Sequence, residues 1–498
     1  MDWITTFLSI LTPHMLFFLM IGVIGGAVIG ALPGLSATMG IAILTPLTFW
    51  FSPAEGFAML IGLWNSAIWA GGISAILINT PGTPASIATT FDGYEFMKRG
   101  EAGLALGINT VYSAIGGLFS TFVCIFISFP MAKFALKFGP PEYFVLGLFG
   151  LTMMISVSGS SILKGLLVGF LGLLISCIGA DPMLAFNRYS FSNANLINGI
   201  SFIPVMIGMF GIGEVLYQIY ENRKTDDIAE RQRAKNIKMG RIFVNRKEAK
   251  RLIPTTIMSS LISVVVGAIP ATGGDISSVI CWGQAKRMSK HPEEFGKGSI
   301  EGLATSCVAN NGVIGGALAT MLTLGIPGDS VSAVLIGSLM MYGMQPGPML
   351  FTEHKDFVIT IMCLMIAANL AFLIFGLATT KVSAKVLTVN KKTVWVVVTL
   401  LCIVGSFALN NSMFDVLVMA LSGFLGFLFK KMDYAAGPFI LGLLLGHLVE
   451  SNFRRSLALS QGSYSIFVSS PIVIVLEILI VLSIVVPVIR RTRKPKLA

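Results

Sequence analysis

The sequence predicts an all-α polytopic membrane protein built from two inverted structural repeats, each a helical hairpin followed by a broken helix. Three observations carry that reading. The first is composition: 54% of residues are apolar, 12% are charged and the mean hydropathy is +0.82, against a charged fraction of about 25% in soluble domains. Spanning about 30 Å of hydrocarbon takes about 20 apolar residues as a helix, and the apolar runs here are that long rather than short and alternating, which excludes a β-barrel. The second is a pair of matched breaks. At a constant shift of 246 (327 − 81), Pro327-Gly328 falls on Pro81-Gly82, Glu301-Gly302 on Glu55-Gly56, and Asn311 on Asn65, with no gap between Glu55 and Gly82. An earlier pair, Gly30-Ala-Leu-Pro-Gly34 and Gly267-Ala-Ile-Pro-Ala271, matches at a shift of 237 (267 − 30). The third is the sign of equivalent loops, taken up below.

The chain opens with an amphipathic lead-in over residues 3–12 and a Gly-rich apolar helix over 14–31. Pro33 and Gly34 then form a tip, and Ser36, Thr38 and Thr45 precede a return to Trp50. This is a hairpin. Residues 56–79 are apolar, with Asn65 and Ser66 inside and a Gly71-Gly72 step that lets helices approach closely. The break Asn79-Thr80-Pro81-Gly82-Thr83 follows, and Asp92 to Glu101, with Lys98 and Arg99, reads as the first hydrophilic loop. Apolar runs near 102–129, 142–157, 161–179 and 201–220 complete a first membrane repeat plus scaffold over residues 1–220. No cleavable signal peptide is expected, since Met1-Asp2-Trp3 lacks a basic start.

Residues 221–252 form a boundary. Between 223 and 251 stand eleven Lys/Arg against four Asp/Glu, which beside membrane spans reads as a cytoplasmic loop contacting anionic lipid and not as a nucleic-acid site. The second repeat and its scaffold occupy 253–488. A run over 253–269 leads to a tip with Thr272, Gly273 and Asp275, and a basic loop carries Lys286 to Lys297. Residues 299–342 then contain Asn310-Asn311, Gly315-Gly316 and the second break, Gly325-Ile-Pro327-Gly328-Asp329-Ser330. Further apolar runs at 357–378, 393–409, 412–429, 434–449 and 466–488 precede a basic cytoplasmic tail, 489–498. The six cysteines stand singly in apolar runs and read as free thiols. His447 and Glu450, lacking a third ligand, read as a polar pair at a helix end.

Equivalent loops of the two copies differ in charge. Between hairpin and broken helix, copy two carries Lys286 to Lys297 and copy one only Glu55; after the second break, copy one carries Lys98-Arg99 and copy two the uncharged Met344 to Pro348. By the positive-inside rule the copies are opposed, with the N-terminus periplasmic and the C-terminus cytoplasmic, and both tips point toward the midplane. Non-helical backbone at that depth is tolerated only inside protein or beside a cavity. The breaks supply the chemistry for an anion: free N–H groups at helix starts carry roughly half a positive charge, and Ser36, Thr38, Thr80, Thr83, Thr272 and Ser330 add hydroxyls. Carbonyls freed at the breaks, with Asp275, Asp329, Asn65 and Asn311, are candidates to hold a coupling cation, Na⁺ or H⁺. Simple kinking or packing by Gly and Pro, and helix capping by Asp329, are the bland alternatives.

At these motifs the chain resembles the large membrane subunit of the tripartite tricarboxylate transporters, the TctA family. The stretches are Gly30-Ala-Leu-Pro-Gly-Leu-Ser-Ala, Gly71-Gly-Ile-Ser-Ala-Ile-Leu-Ile-Asn-Thr-Pro-Gly-Thr-Pro, Asp92-Gly-Tyr, Gly267-Ala-Ile-Pro-Ala-Thr-Gly-Gly and Gly325-Ile-Pro-Gly-Asp-Ser. The resemblance implies a non-enzymatic carrier of the bacterial inner membrane that imports citrate or another carboxylate with Na⁺ or protons and needs no other cofactor. Its implied partners are a small membrane subunit and a periplasmic solute-binding protein, and it implies kinship with elevator-type ion transporters. Two other classes compete. An intramembrane aspartyl protease would pair two membrane aspartates, but Thr272-Gly-Gly-Asp275 and Ile326-Pro-Gly-Asp329 lack its Gly-x-Gly-Asp pattern. A gated carboxylate or anion channel is separated from a carrier only by accumulation against a gradient.

Overall fold

The computed structural model describes residues 3–152, 162–181, 183–184, 186–221, 238–270, 272–389 and 391–492. Most of the basic loop (222–237), Ala271 at the second tip and the end of the tail (493–498) lie outside the described residues. The chain is helical almost throughout, and among the described residues the one strand pair is Gly179–Ala180 with Asn187–Arg188. Nine of the described helices are long and apolar enough to cross a membrane. This is an all-α polytopic membrane protein.

A short helix α1 (Trp3–Ile10) precedes α2 (Pro13–Ala31) and α3 (Ala37–Thr48), which meet at the Pro33-Gly34 tip. Then come α4 (Pro53–Ile78), α5 (Ile87–Lys98), α6 (Ala102–Ala135), α7 (Pro140–Thr152), α8 (Ile162–Ser176) and α9 (Phe202–Glu221), the last with a π turn at Ile207–Ile212. The same order of hairpin, long helix, break and short helix recurs as α10 (Arg246–Ala268), α11 (Gly273–Met288), α12 (Ile300–Leu324) and α13 (Ser330–Met341). After a single helical turn at Leu350–Glu353, five longer helices follow: α14 (Lys355–Thr379), α15 (Lys391–Asn410), α16 (Met413–Lys431), α17 (Gly437–Leu459) and α18 (Pro471–Thr492). Capping boxes start three of these helices, Ser52 with Glu55 at α4, Asn245 with Glu248 at α10 and Asp329 with Ser332 at α13. The second explains why α10 begins inside the basic stretch, ahead of its apolar run.

Helices α4 and α12 form the buried heart. Small residues let their partners approach: a Cβ on Gly22, Gly26 or Gly30 of α2 would stand 2.0, 2.5 or 2.1 Å from the carbonyl oxygens of Met59, Leu63 and Ala67, and one on Gly267 of α10 would stand 2.2 Å from that of Val313. Where α4 and α12 cross, the Asn311 Nδ2 donates to the Asn65 carbonyl at 3.0 Å, and the Asn369 Nδ2 to the Asn65 Oδ1 at 3.1 Å. The halves interlock, since α6 packs along α12 and α14 along α4. Likewise α3 packs on α13 and α11 on α5. A second apolar cluster sets Leu32, Leu35, Met39 and Ile43 of the first hairpin against Ile207 and Val215 of α9, Cys402 of α15 and Met419 of α16. All six cysteines are free.

Two sequence expectations need correction. Asp92 to Glu101 is not a loop: it is largely the helix α5, and Asp92 is fully buried with hydrogen-bonded oxygens, which offset part of the burial penalty that made a loop the natural reading. The run expected over 434–449 is a helix that continues to Leu459, because Glu450 and Arg454 find ionic partners in the 177–201 loop. There Arg188 forks onto Glu450 at 2.6 and 3.0 Å, and Arg454 reaches Asp181 at 2.5 Å. Burial alone would raise the Asp181 carboxyl, but the Leu184 N–H, the Arg454 guanidinium and the Met183 N–H hold it down at about 2.

Candidate functional site

Each long helix ends in a left-handed residue at the same place in its copy, Asn79 at φ 57° and Gly325 at φ 71°, after which the chain turns back along the helix it has left. In the first copy the Gly82 N–H donates to the Gly71 carbonyl at 3.1 Å. A Cβ on Gly82 would lie 1.9 Å from the Gly30 carbonyl oxygen and 2.9 Å from the Gly71 Cα. In the second, a Cβ on Gly328 would lie 2.7 Å from the Gly267 carbonyl oxygen and 2.6 Å from the Ala317 Cα. The three partners correspond: 328 − 82 and 317 − 71 are both 246, and 267 − 30 is 237. Each break therefore rests on the base of its own hairpin tip, and only glycine permits that approach.

The tips differ in chemistry. At the first, Gly34 has φ +88°, the Gln218 Nε2 of α9 donates to its carbonyl at 3.3 Å, and Pro33 is half-buried. The Ser36 hydroxyl caps α3 by accepting from the Met39 N–H at 3.1 Å, and Thr38 is buried on the next turn. At the second, the Thr272 hydroxyl donates back to the Val266 and Ile269 carbonyls, Gly273 has φ +62°, and Asp275 stands in the first turn of α11. A Cβ on Gly274 would touch Ala85 at 2.7 Å, so the second tip also meets the first break.

Asp329 begins α13 with a capping box whose partner is Ser332: the Ser332 N–H donates to Asp329 Oδ1 at 2.7 Å, and the Asp329 N–H to the Ser332 Oγ at 2.9 Å. Asp275 stands within electrostatic range of Asp329. Around them Pro327 and Gly328 are buried and Ser330 is exposed; in the first break Asn79 and Thr80 are exposed while Thr83 is buried, its Oγ1 3.2 Å from the Ser86 Oγ. The breaks thus each offer one open and one sealed side.

Asn65 and Asn311 stand apart from the tips, at the helix crossing, where Asn369 joins them. Their position suits interhelical hydrogen bonding, and the Asn311 Oδ1 and Asn369 Oδ1 are buried without a protein donor. Among the described residues no group of three or more His, Cys, Asp or Glu could hold a metal ion. Sequence reasoning missed Ser332, Gln218 and Asn369. Ser332 sits three residues after Asp329, a capping-box spacing, whereas nothing in the sequence ties Gln218 to Gly34.

A family model described as Tripartite tricarboxylate transporter TctA family matches residues 16–441. An uncharacterized 52.8 kDa protein from the TAR-I ttuC' 3'region of Agrobacterium vitis is 34% identical over 466 residues, 94% of this chain and 91% of that one. An uncharacterized protein from the TAR-II ttuC' 3'region of the same organism is 32% identical over 208 residues, 42% of this chain and 86% of that one. No solved structure matches the chain.

Proposed function

We propose, because the chain belongs to the tripartite tricarboxylate transporter TctA family, that it is the large membrane subunit of a binding-protein-dependent secondary transporter importing a tricarboxylate or related carboxylate with Na⁺ or H⁺. The observation that carries the reading is the pair of breaks, each resting through a glycine on the base of its hairpin tip. Such an arrangement leaves helix starts and hydroxyls to receive a carboxylate without a buried basic residue. Asp275 and Asp329 would hold the cation, and the cation would in turn offset the charge of the substrate. A small membrane subunit and a periplasmic solute-binding protein would complete the system.

The grouping of the loops supports one orientation. Arg99, Lys238 and Lys297 share one face: the Arg99 guanidinium donates to the Lys297 carbonyl, and Lys238 packs on Gly100. The opposite face holds Glu55, His14 and Tyr342, whose hydroxyl donates to the Thr48 carbonyl at 2.6 Å. The basic face would be cytoplasmic, against anionic lipid of an inner membrane. A reporter fused within 225–250 or after Lys496 is expected to read cytoplasmic, and one at 344–348 periplasmic. Both loops reading the same side would remove the case for opposed copies.

The two hairpins also differ in cover, which supports an elevator-like movement of the core. Leu32 and Ile43 are 2% and 6% exposed against α9 and α15, whereas their counterparts Ile269 and Ile280 are 39% and 46% exposed. An inverted pair that alternates would reverse this pattern in its other state. In a cysteine-free background, Ile280→Cys is expected to react with an impermeant thiol reagent from the cytoplasmic side and Ile43→Cys to be protected, with substrate and Na⁺ shifting both. Reactivities that never change with ligand would count against a moving core.

A further inference from the structure

Among the described residues no helix of this chain packs on the outer face of the second hairpin, where Ile269 and Ile280 are exposed, and a buried carboxylate outside the tips holds its far end. Asp92 of α5 is fully buried. Its Oδ1 accepts from the N–H groups of Gly296, Gly298 and Ser299 at 2.8, 3.0 and 2.8 Å, and its Oδ2 from the Trp282 Nε1 at 2.7 Å. One side chain from the first half thus binds both α11 and the loop leading to α12. Trp282 is held further between Phe91 and Phe295, with ring centroids at 5.2 and 5.5 Å and the Lys286 ammonium 5.4 Å from its ring. Space for the contact comes from Gly302, where a Cβ would lie 2.2 Å from the Asp92 Oδ2.

The corresponding place in the other half is built differently. Subtracting 237 from Trp282 gives Thr45, and adding 246 to Asp92 gives Ser338; these two hydroxyls lie 2.9 Å apart. Gly56, which corresponds to Gly302, makes room there for the Tyr342 hydroxyl. The first hairpin is thus held to the opposite half by neutral hydroxyls and backed by the apolar contacts of Leu32, Leu35, Met39 and Ile43. The second has a charge-assisted clamp where that backing is absent. Hydrogen bonds to an ionised group are the stronger class.

The geometry points to Asp92 as the positioning residue of the second hairpin: through Trp282 and the 296–299 loop it keeps α11 seated, and so keeps the Asp275-bearing tip facing Asp329. Asparagine in its place can keep the three loop N–H groups on its oxygen, but its NH₂ then faces the Trp282 N–H, donor against donor. Replacing Trp282 by phenylalanine removes that conflict, which makes the pair a double-mutant test.

Hydrogen exchange on the full-length protein in lipid reads the clamp directly. Asp92→Asn is expected to speed exchange in 273–288 by about tenfold or more, as loss of a charge-assisted hydrogen bond allows, and to leave 37–48 unchanged. Adding Trp282→Phe should restore most of the protection, and Trp282→Phe alone, which removes one of four bonds and needs no misfit, should loosen only the same segment. Unchanged exchange in 273–288, equal loosening of both hairpins, or no rescue would each overturn the clamp. The effect on cation binding rests on the transport reading above: Asp92→Asn should raise the half-saturating Na⁺ concentration for uptake, with the double variant nearer wild type. Faster exchange with an unaltered Na⁺ response would overturn the positioning role, whereas a wild-type protein that shows no Na⁺-dependent uptake would overturn the transport reading instead.

Discussion

Uptake is expected to be lost when either Gly82 or Gly328 is replaced by leucine, with the protein still inserted in the membrane. The structure makes the requirement stricter than a side chain intruding on substrate. At Gly82 the first added carbon would overlap the Gly30 carbonyl oxygen at 1.9 Å, and at Gly328 it would press on Ala317 at 2.6 Å and the Gly267 carbonyl at 2.7 Å. These neighbours are backbone or Cβ, with no flexible end to swing aside. The break must lift off the tip, at a cost of about 1 to 3 kcal/mol or more for overpacking a filled site. Even alanine should therefore slow transport strongly at Gly82. Insertion should survive, because the apolar spans on either side keep their length and hydropathy. The measurement is carboxylate uptake in proteoliposomes, normalised to monodisperse protein. Normal rates for both leucine variants would place the site elsewhere.

Much of this arrangement was written in spacing alone. The shift of 246 that pairs Pro81 with Pro327 also pairs the left-handed residues Asn79 and Gly325, and the shift of 237 pairs Leu32 with Ile269, where the first hairpin helices end in the same extended conformation (φ −89° and −82°). Backbone breaks are legible because Gly and Pro report local conformational need. The partners of those breaks are not, because a close approach of Gly82 to Gly30 is a fact of packing between helices. Asp92 shows the same limit. A carboxylate next to Gly93 and Tyr94, near Lys98 and Arg99, reads as solvated, and three of its donors are backbone N–H groups from another part of the chain. No side-chain pattern marks them. Asn65 and Asn311 illustrate a partial success, since equal shifts put them at equivalent depths, but the crossing of α4 and α12 that joins them is set by the interlocking of α6 with α12 and α14 with α4.

The remaining prediction separates the two roles open to Asp329. As a cap it accepts the Ser332 N–H at 2.7 Å, and asparagine caps about as well as aspartate. Asp329→Asn should accordingly keep the fold and expression. What asparagine cannot supply is the charge, and Asp275 stands close enough to be felt. A unit charge about 4 Å from a cation is worth roughly 4 kcal/mol at an effective dielectric constant near 20. Asp329 is half-buried at the open side of the break, beside the exposed Ser330, so solvent screening discounts that several-fold. Since about 1.4 kcal/mol is a factor of ten, the half-saturating Na⁺ concentration should rise roughly tenfold while Asp275 retains part of the site. The sign with pH follows. In the wild type, acid protonates Asp329 and should raise the Na⁺ required, whereas the Asn variant has no proton to gain there and should respond to pH only through Asp275. Uptake titrated against Na⁺ at several pH values in one reconstituted system decides the matter, and a variant that matches wild type in both titrations leaves Asp329 as a helix cap.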